Sequence, residues 1–289
     1  MRSVALAAPD FDLASTLECG QVFHWRKSGE GYLGIIGGTP CVVEQRGAEL
    51  LVAAPLANIA RAYFALDHPM REIYATFPDD PAMKAAREFC GGMRIVRQPA
   101  WECLATFITS AMKQVAHIAQ ISHTLRERYG TPYESAGGAV FSYPTAERMA
   151  SLEEADLRAC ALGFRAKNLR NAARMVASGE VNLEEVAKLA DDEAREQLRR
   201  LPGVGEKVAN CALLFGFGRL RAFPVDVWID RILREIYFPR RRNVTPRKLR
   251  EFSASYFGPY AGYAQQYLFH HARLTWRKSG KLPTVQPKA

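Results

Sequence analysis

Cysteine is scarce and never clustered: Cys19, Cys41, Cys90, Cys103, Cys160 and Cys211 stand far apart, and no two make a CxxC pair. That spacing excludes the usual zinc and iron–sulfur ligand sets, and buried thiols in a reducing compartment are expected rather than disulfides. Long apolar runs are missing as well. The N-terminus offers only Val4 to Ala8 before Pro9-Asp10, and no segment approaches the roughly 20 apolar residues that a membrane-spanning helix needs. A cytoplasmic or nucleoid location is therefore expected, the nucleus if the source is eukaryotic, with no membrane partner. No internal repeat organises the chain.

What is present is an ordinary globular composition, 48% hydrophobic and 24% charged over 289 residues, enough for one large or two to three small domains. Lys and Arg number 39 against 30 Asp and Glu, a formal charge of +9. The excess is uneven. Between Arg219 and Arg250 stand ten basic and three acidic residues, which points to a polyanionic partner.

From Gln21 to Ala54 the sequence predicts short strands, Gln21–Trp25, Tyr32–Ile36, Cys41–Gln45 and Glu49–Val52, cut by turns at Gly29, Gly37-Gly38 and Gly47. This is an antiparallel meander. After Pro55 the apolar spacing turns helical, and helices are expected over 56–66, 69–76, 79–90, 100–112, 115–129, 145–160, 165–178, 182–200, 205–217, 226–237, 245–257 and 259–274. The predicted fold class is α+β. Residues 1–96 form an antiparallel sheet domain with flanking helices, 97–277 a mostly α-helical region, and 278–289 a basic tail.

The helical region centres on Leu201-Pro-Gly-Val-Gly-Glu-Lys-Val-Ala209. A polar helix from Asp191 runs into Pro202-Gly-Val-Gly205, and a second helix begins at once: a helix, a hairpin and a helix. Gly203 and Gly205 can adopt angles that other residues resist, which lets the main-chain N–H groups around Val204 point at a phosphate on the positive end of the second helix. Lys207 lies in that helix's first turn, where the dipole disfavours an ammonium and favours a nucleophilic amine. Asp226, after Pro224-Val225, is placed to cap the next helix. Either residue alone reads equally as a solvated lysine or a plain cap.

Together, the glycine hairpin, its first-turn lysine and the Pro-Val-Asp cap resemble the helix-hairpin-helix DNA glycosylases with a Gly/Pro-rich loop and aspartate, the HhH-GPD superfamily. The lysine implies the bifunctional members. There Lys207 would attack the sugar C1′, expel the base and form a Schiff base from which β-elimination cuts the strand, with Asp226 stabilising the cationic sugar. The thymine-glycol branch usually places four cysteines after the aspartate, and none follows Asp226 here. What is left is similar to the 8-oxoguanine DNA glycosylases, which add an N-terminal antiparallel sheet.

Four patches carry that resemblance. In Cys19-Gly-Gln-Val-Phe-His-Trp25, Gly20 would offer its carbonyl to the N7 proton that 8-oxoguanine has and guanine lacks. Arg97 to Ser110 looks like the helix leading to the loop that fills the hole left by a flipped base. Leu162-Gly-Phe-Arg-Ala-Lys167 implies that Phe164 wedges beside the opposite base and Arg165 reaches its acceptors. Gly258 to Phe269 implies that Gln265 binds the Watson–Crick edge while Phe269 stacks on one face of the lesion, with Cys211 on the other.

The departures cluster on the opposite strand. Met112-Lys-Gln114 stands where eukaryotic members carry asparagines, and Met112 would wedge by apolar contact alone. His117 replaces an arginine that contacts the opposite cytosine, so relaxed discrimination is expected. Trp228 replaces a histidine at the lesion's phosphate, a loss that Arg240-Arg-Arg242 with Arg247, Lys248 and Arg250 would offset. The resemblance implies a monomer acting on double-stranded DNA that contains an oxidised purine, with no cofactor and no catalytic metal. Two readings stay open beside it: a glycosylase of the same fold for alkylated purines or hypoxanthine, and a non-catalytic helix-hairpin-helix DNA-binding module.

Overall fold

The computed structural model describes residues 2–110, 114–135, 137–239 and 244–279. Strands β1 (Ser3–Ala7), β2 (Arg26–Ser28), β3 (Gly31–Ile36), β4 (Thr39–Arg46) and β5 (Glu49–Ala53) form one antiparallel sheet in the order β1-β5-β4-β3-β2. The hairpins close at the expected glycine turns. All six residues of β3 are buried, so this strand is covered on both faces, whereas the edge strand β1 buries mainly Leu6. β1 carries alanine at Ala5 and Ala7, which dilutes its alternation and hides it in the sequence.

Gln21–Trp25, expected as a strand, is extended chain outside the sheet. Gln21 is held by amide hydrogen bonds instead of a ladder. Gln21 donates to Thr16 O at 2.8 Å and Arg94 O at 2.7 Å and accepts from Val96 N at 3.0 Å, while Gln98 donates to Gln21 O at 2.8 Å. A short helix, Leu13–Glu18, precedes it, capped by Asp12 accepting from Ser15 N at 2.6 Å.

Helices account for most of the rest. Residues 182–200, expected as one helix, divide into Leu183–Val186 and Asp191–Arg199. Arg219 covers carbonyls released at the break, donating to Ala187 O at 2.7 Å and Leu189 O at 3.1 Å. The 145–160 segment likewise divides into Ala146–Ser151 and Glu154–Leu157, followed by a π-helical turn through Leu162. A small pair, β6 (Pro132–Tyr133) and β7 (Val140–Phe141), was not legible in the sequence. The final helix, Ala261–Ser279, runs into the stretch expected as tail; residues 280–289 lie outside the described residues.

Two cores result. One packs the sheet against Ala60, Tyr63 and Phe64; the other gathers the helices and also takes Met70, Ile73, Met83, Met93 and Ile95. The final helix fastens the second core to the chain between residues 68 and 95. Tyr263, fully buried, accepts from Ile95 N at 3.2 Å and meets His68 Nδ1 at 2.7 Å, and Tyr267 donates to Met93 O at 2.9 Å. A second joint is polar: Glu102 bonds Arg126 and lies 3.4 Å from His24 Nδ1, and burial pushes the His24 imidazole well below its ordinary pKa.

Candidate active site

The hairpin joins Asp191–Arg199 to Glu206–Cys211, which continues as a π-helical turn to Gly216. Arg195 bonds Asp192 and donates to Asn210 Oδ1 at 3.2 Å; Asn210 in turn donates to Glu206 O at 2.9 Å, fixing the two helices. Gly203 has φ +84°, and a Cβ there would meet Asn168 at 3.0 Å, so glycine is required for the turn itself. Gly205 corrects the sequence reading. Its φ is −90°, open to any residue, and a Cβ would meet nothing within 4 Å. Glycine there is not needed to fold the turn; it leaves the helix N-terminus uncovered. Val204 turns its side chain into the helical core.

Lys207 is half-buried, and its Nζ donates to Ser110 Oγ at 2.9 Å while lying 5.0 Å from the centre of the Phe107 ring. Asp226 caps Val227–Ile232, accepting from Ile229 N at 2.9 Å. Burial raises its carboxyl above the usual range, opposed by the backbone bond to Ile229 and by the positive charge of Lys207. Cys211 shares this neighbourhood: burial pushes its thiol up to about 11 against the pull of Lys207, so it stays protonated and offers an apolar wall. Lysine, aspartate and cysteine thus meet as expected.

The second group lies on the final helix and the chain before β2. Gly20 has φ +88°, and a Cβ would meet Val115 at 3.2 Å and Phe269 at 3.4 Å. Gln266 donates to Cys19 O at 3.1 Å and holds this segment in place. Gln265, on the same helix face as Phe269, is 4% exposed, and among the described residues its Oε1 has no hydrogen-bond partner. An orphaned buried acceptor is costly unless something fills it. Aromatic packing joins the two groups, since Phe23 meets edge-on the Phe107 ring over which the Lys207 amine sits.

The opposite-strand candidates lie apart from these contacts. Phe164 is 60% exposed. Arg165 is 5% exposed, donates to Leu162 O at 2.7 Å and places its guanidinium 4.6 Å from the centre of the Phe164 ring, which is not the outward reach expected of it. Ala161, at φ +61°, bends the chain that presents both. His117 is exposed, Trp228 packs partly into the helical core, and Met112 and Arg240–Arg242 lie outside the described residues. Sequence reasoning gave no role to Ser110 or Val115. Ser110 lies in a matched patch, but only its contact with Lys207 singles it out.

Residues 105–259 match the HhH-GPD superfamily of base excision DNA repair proteins, and the chain belongs to that superfamily. Its residues 3–104 match the N-terminal domain of 8-oxoguanine DNA glycosylase, and the two matches meet inside the Ala100–Thr109 helix. The chain is 32% identical to a probable N-glycosylase/DNA lyase of Methanothermobacter thermautotrophicus, over 91% of this chain and 94% of that one. It is 28% identical to the N-glycosylase/DNA lyase OGG1 of Arabidopsis thaliana, over 91% and 78%. The solved 8-oxoguanine glycosylase/lyase of Clostridium acetobutylicum, in complex with DNA containing cytosine opposite 8-oxoguanine, superposes with a TM-score of 0.86. It is 32% identical over 93% of this chain and 97% of that one.

Proposed function

We propose that the chain excises 8-oxoguanine from duplex DNA and cuts the strand at the resulting site. The observation that carries the base assignment is the Gln265 Oε1 acceptor, buried without a partner among the described residues, on the helix face that places Phe269 against Gly20. A base turned out of the helix into that space stacks on Phe269, gives an edge N–H to Gln265 and gives its N7 proton to the Gly20 carbonyl. Guanine has an acceptor at N7 and would set lone pair against lone pair there, the kind of mismatch that discriminates strongly.

The amine of Lys207, having given its ammonium proton to water, then attacks C1′. The C1′–N9 bond breaks, and the base leaves with its electron pair and takes up a proton. The nitrogen, which carries two protons after the attack, gives up one, O4′ takes up a proton as the sugar ring opens, and the nitrogen keeps the other in a protonated imine. Removal of a C2′ proton expels the 3′-phosphate by β-elimination, and water hydrolyses the imine to free the enzyme. Ionised Asp226 stabilises positive charge on the sugar as the base departs. The uncovered hairpin N-terminus at Gly203–Gly205 holds a phosphate, and Phe164 and Met112 take up the space beside the unpaired base. With His117 exposed and Arg165 bonded to its own turn, preference among opposite bases is relaxed.

Borohydride trapping on an 8-oxoguanine duplex tests this. Wild type is expected to give a covalent protein–DNA adduct, and Lys207→Gln is expected to lower adduct formation by at least about a thousandfold with DNA binding retained. An adduct on no lesion at all would leave the non-catalytic DNA-binding module as the better reading; one on hypoxanthine or alkylated purines alone would favour that substrate class.

A further inference from the structure

Ser110 closes the Ala100–Thr109 helix and is 6% exposed. Its hydroxyl proton is committed, donated to Phe107 O at 2.7 Å. Toward Lys207 Nζ, 2.9 Å away, it therefore presents a lone pair and can only accept. That distinction matters for a nucleophile. A donor placed here would occupy the lone pair of the neutral amine, and a carboxylate would hold the amine as ammonium. A neutral acceptor takes one N–H and leaves the lone pair directed elsewhere. The Phe107 ring, from the same helix, flanks the amine on a second side at 5.0 Å. One helix end thus restrains the tip of a flexible four-carbon stem. Asp226 is engaged separately, with its Oδ1 on Ile229 N at 2.9 Å.

We propose that Ser110 is a positioning residue for Lys207, an acceptor-only dock that restrains the amine and leaves its lone pair free for the sugar carbon. This rests on the lyase reading given above.

The test uses the full chain and a duplex carrying a preformed abasic site, so that base recognition plays no part. Single-turnover borohydride trapping at saturating DNA gives the Schiff-base rate, and binding to a duplex with a reduced, unreactive abasic analogue gives Kd. Ser110→Ala is expected to slow trapping about tenfold with Kd changed by less than about twofold. Ser110→Thr, which keeps the hydroxyl, restores most of the rate. An alanine variant that traps at the wild-type rate overturns the proposal. So does a threonine variant as slow as alanine, which would make the shape of the site rather than its acceptor the cause, or a fall in rate matched by a fall in affinity. Absence of any adduct with wild type would instead overturn the underlying lyase reading.

Discussion

On the proposed lesion side, Gly20, Cys211, Gln265 and Ser110 are held by backbone geometry, burial and hydrogen bonds that exist without DNA. On the opposite-strand side, Phe164 stands 60% exposed, His117 is exposed and Arg165 is turned back onto Leu162 O. The difference follows from what each side has to do. Telling one base from another depends on an acceptor or donor held to a fraction of an ångström, and such groups must be organised in advance. Filling a gap in a stack needs only apolar bulk, which is all that the proposed role asks of an exposed ring.

Substitutions can break this contrast. Gly20→Ala, which forces a side chain into a left-handed backbone and against Phe269, is expected to lower 8-oxoguanine excision about a hundredfold while sparing lyase action on a preformed abasic site. Equal loss of both activities would mean that Gly20 supports the fold rather than base choice.

Acid should loosen the same framework. Burial holds His24 well below its ordinary pKa and pushes His68 and His270 down to about 4. The native state therefore binds fewer protons than the unfolded chain between about pH 6.5 and pH 4, so stability is full above about 6.5 and falls on acidification through that window. A loss of a few kcal/mol between pH 7 and pH 5, up to about 2 for each ring that stays neutral, is expected from unfolding midpoints in denaturant. A flat profile would show that these rings do not stay neutral.

The far side should answer more weakly. Phe164→Ala is expected to cost about 1 kcal/mol, or about fivefold, in binding to lesion duplex, with no change in thermal stability because the ring is largely in solvent. A loss as large as that of Gly20→Ala would erase the distinction between the two sides.

Legibility in the sequence divides along similar lines. The hairpin and the lysine–aspartate pair could be read because turn chemistry and helix caps act within a few residues. Asp226 does cap its helix, and the sheet turns at its glycines. Gln21–Trp25 misled because Val22, Phe23 and Trp25 favour strands, while the polar groups of Gln21 are met by Gln98 and by the chain around Arg94 and Val96. The break near residue 188 was hidden for the same reason, since Arg219, distant in sequence, binds the freed carbonyls. Gly205 looked like its neighbour Gly203, yet only Gly203 has the left-handed angle.

By itself the sequence determined the elements and their chemistry: an antiparallel sheet, a helical body, a glycine hairpin, and a lysine and an aspartate at helix starts. Periodicity, caps and turns are local, and their energies depend on near neighbours. Tertiary structure alone decided that Phe269 lies on Gly20, that Gln265 Oε1 has no partner among the described residues, and that Lys207 rests on Ser110. Those contacts arise when whole elements pack to fill two cores, and close packing between distant segments is a property of the assembled volume that no local pattern contains.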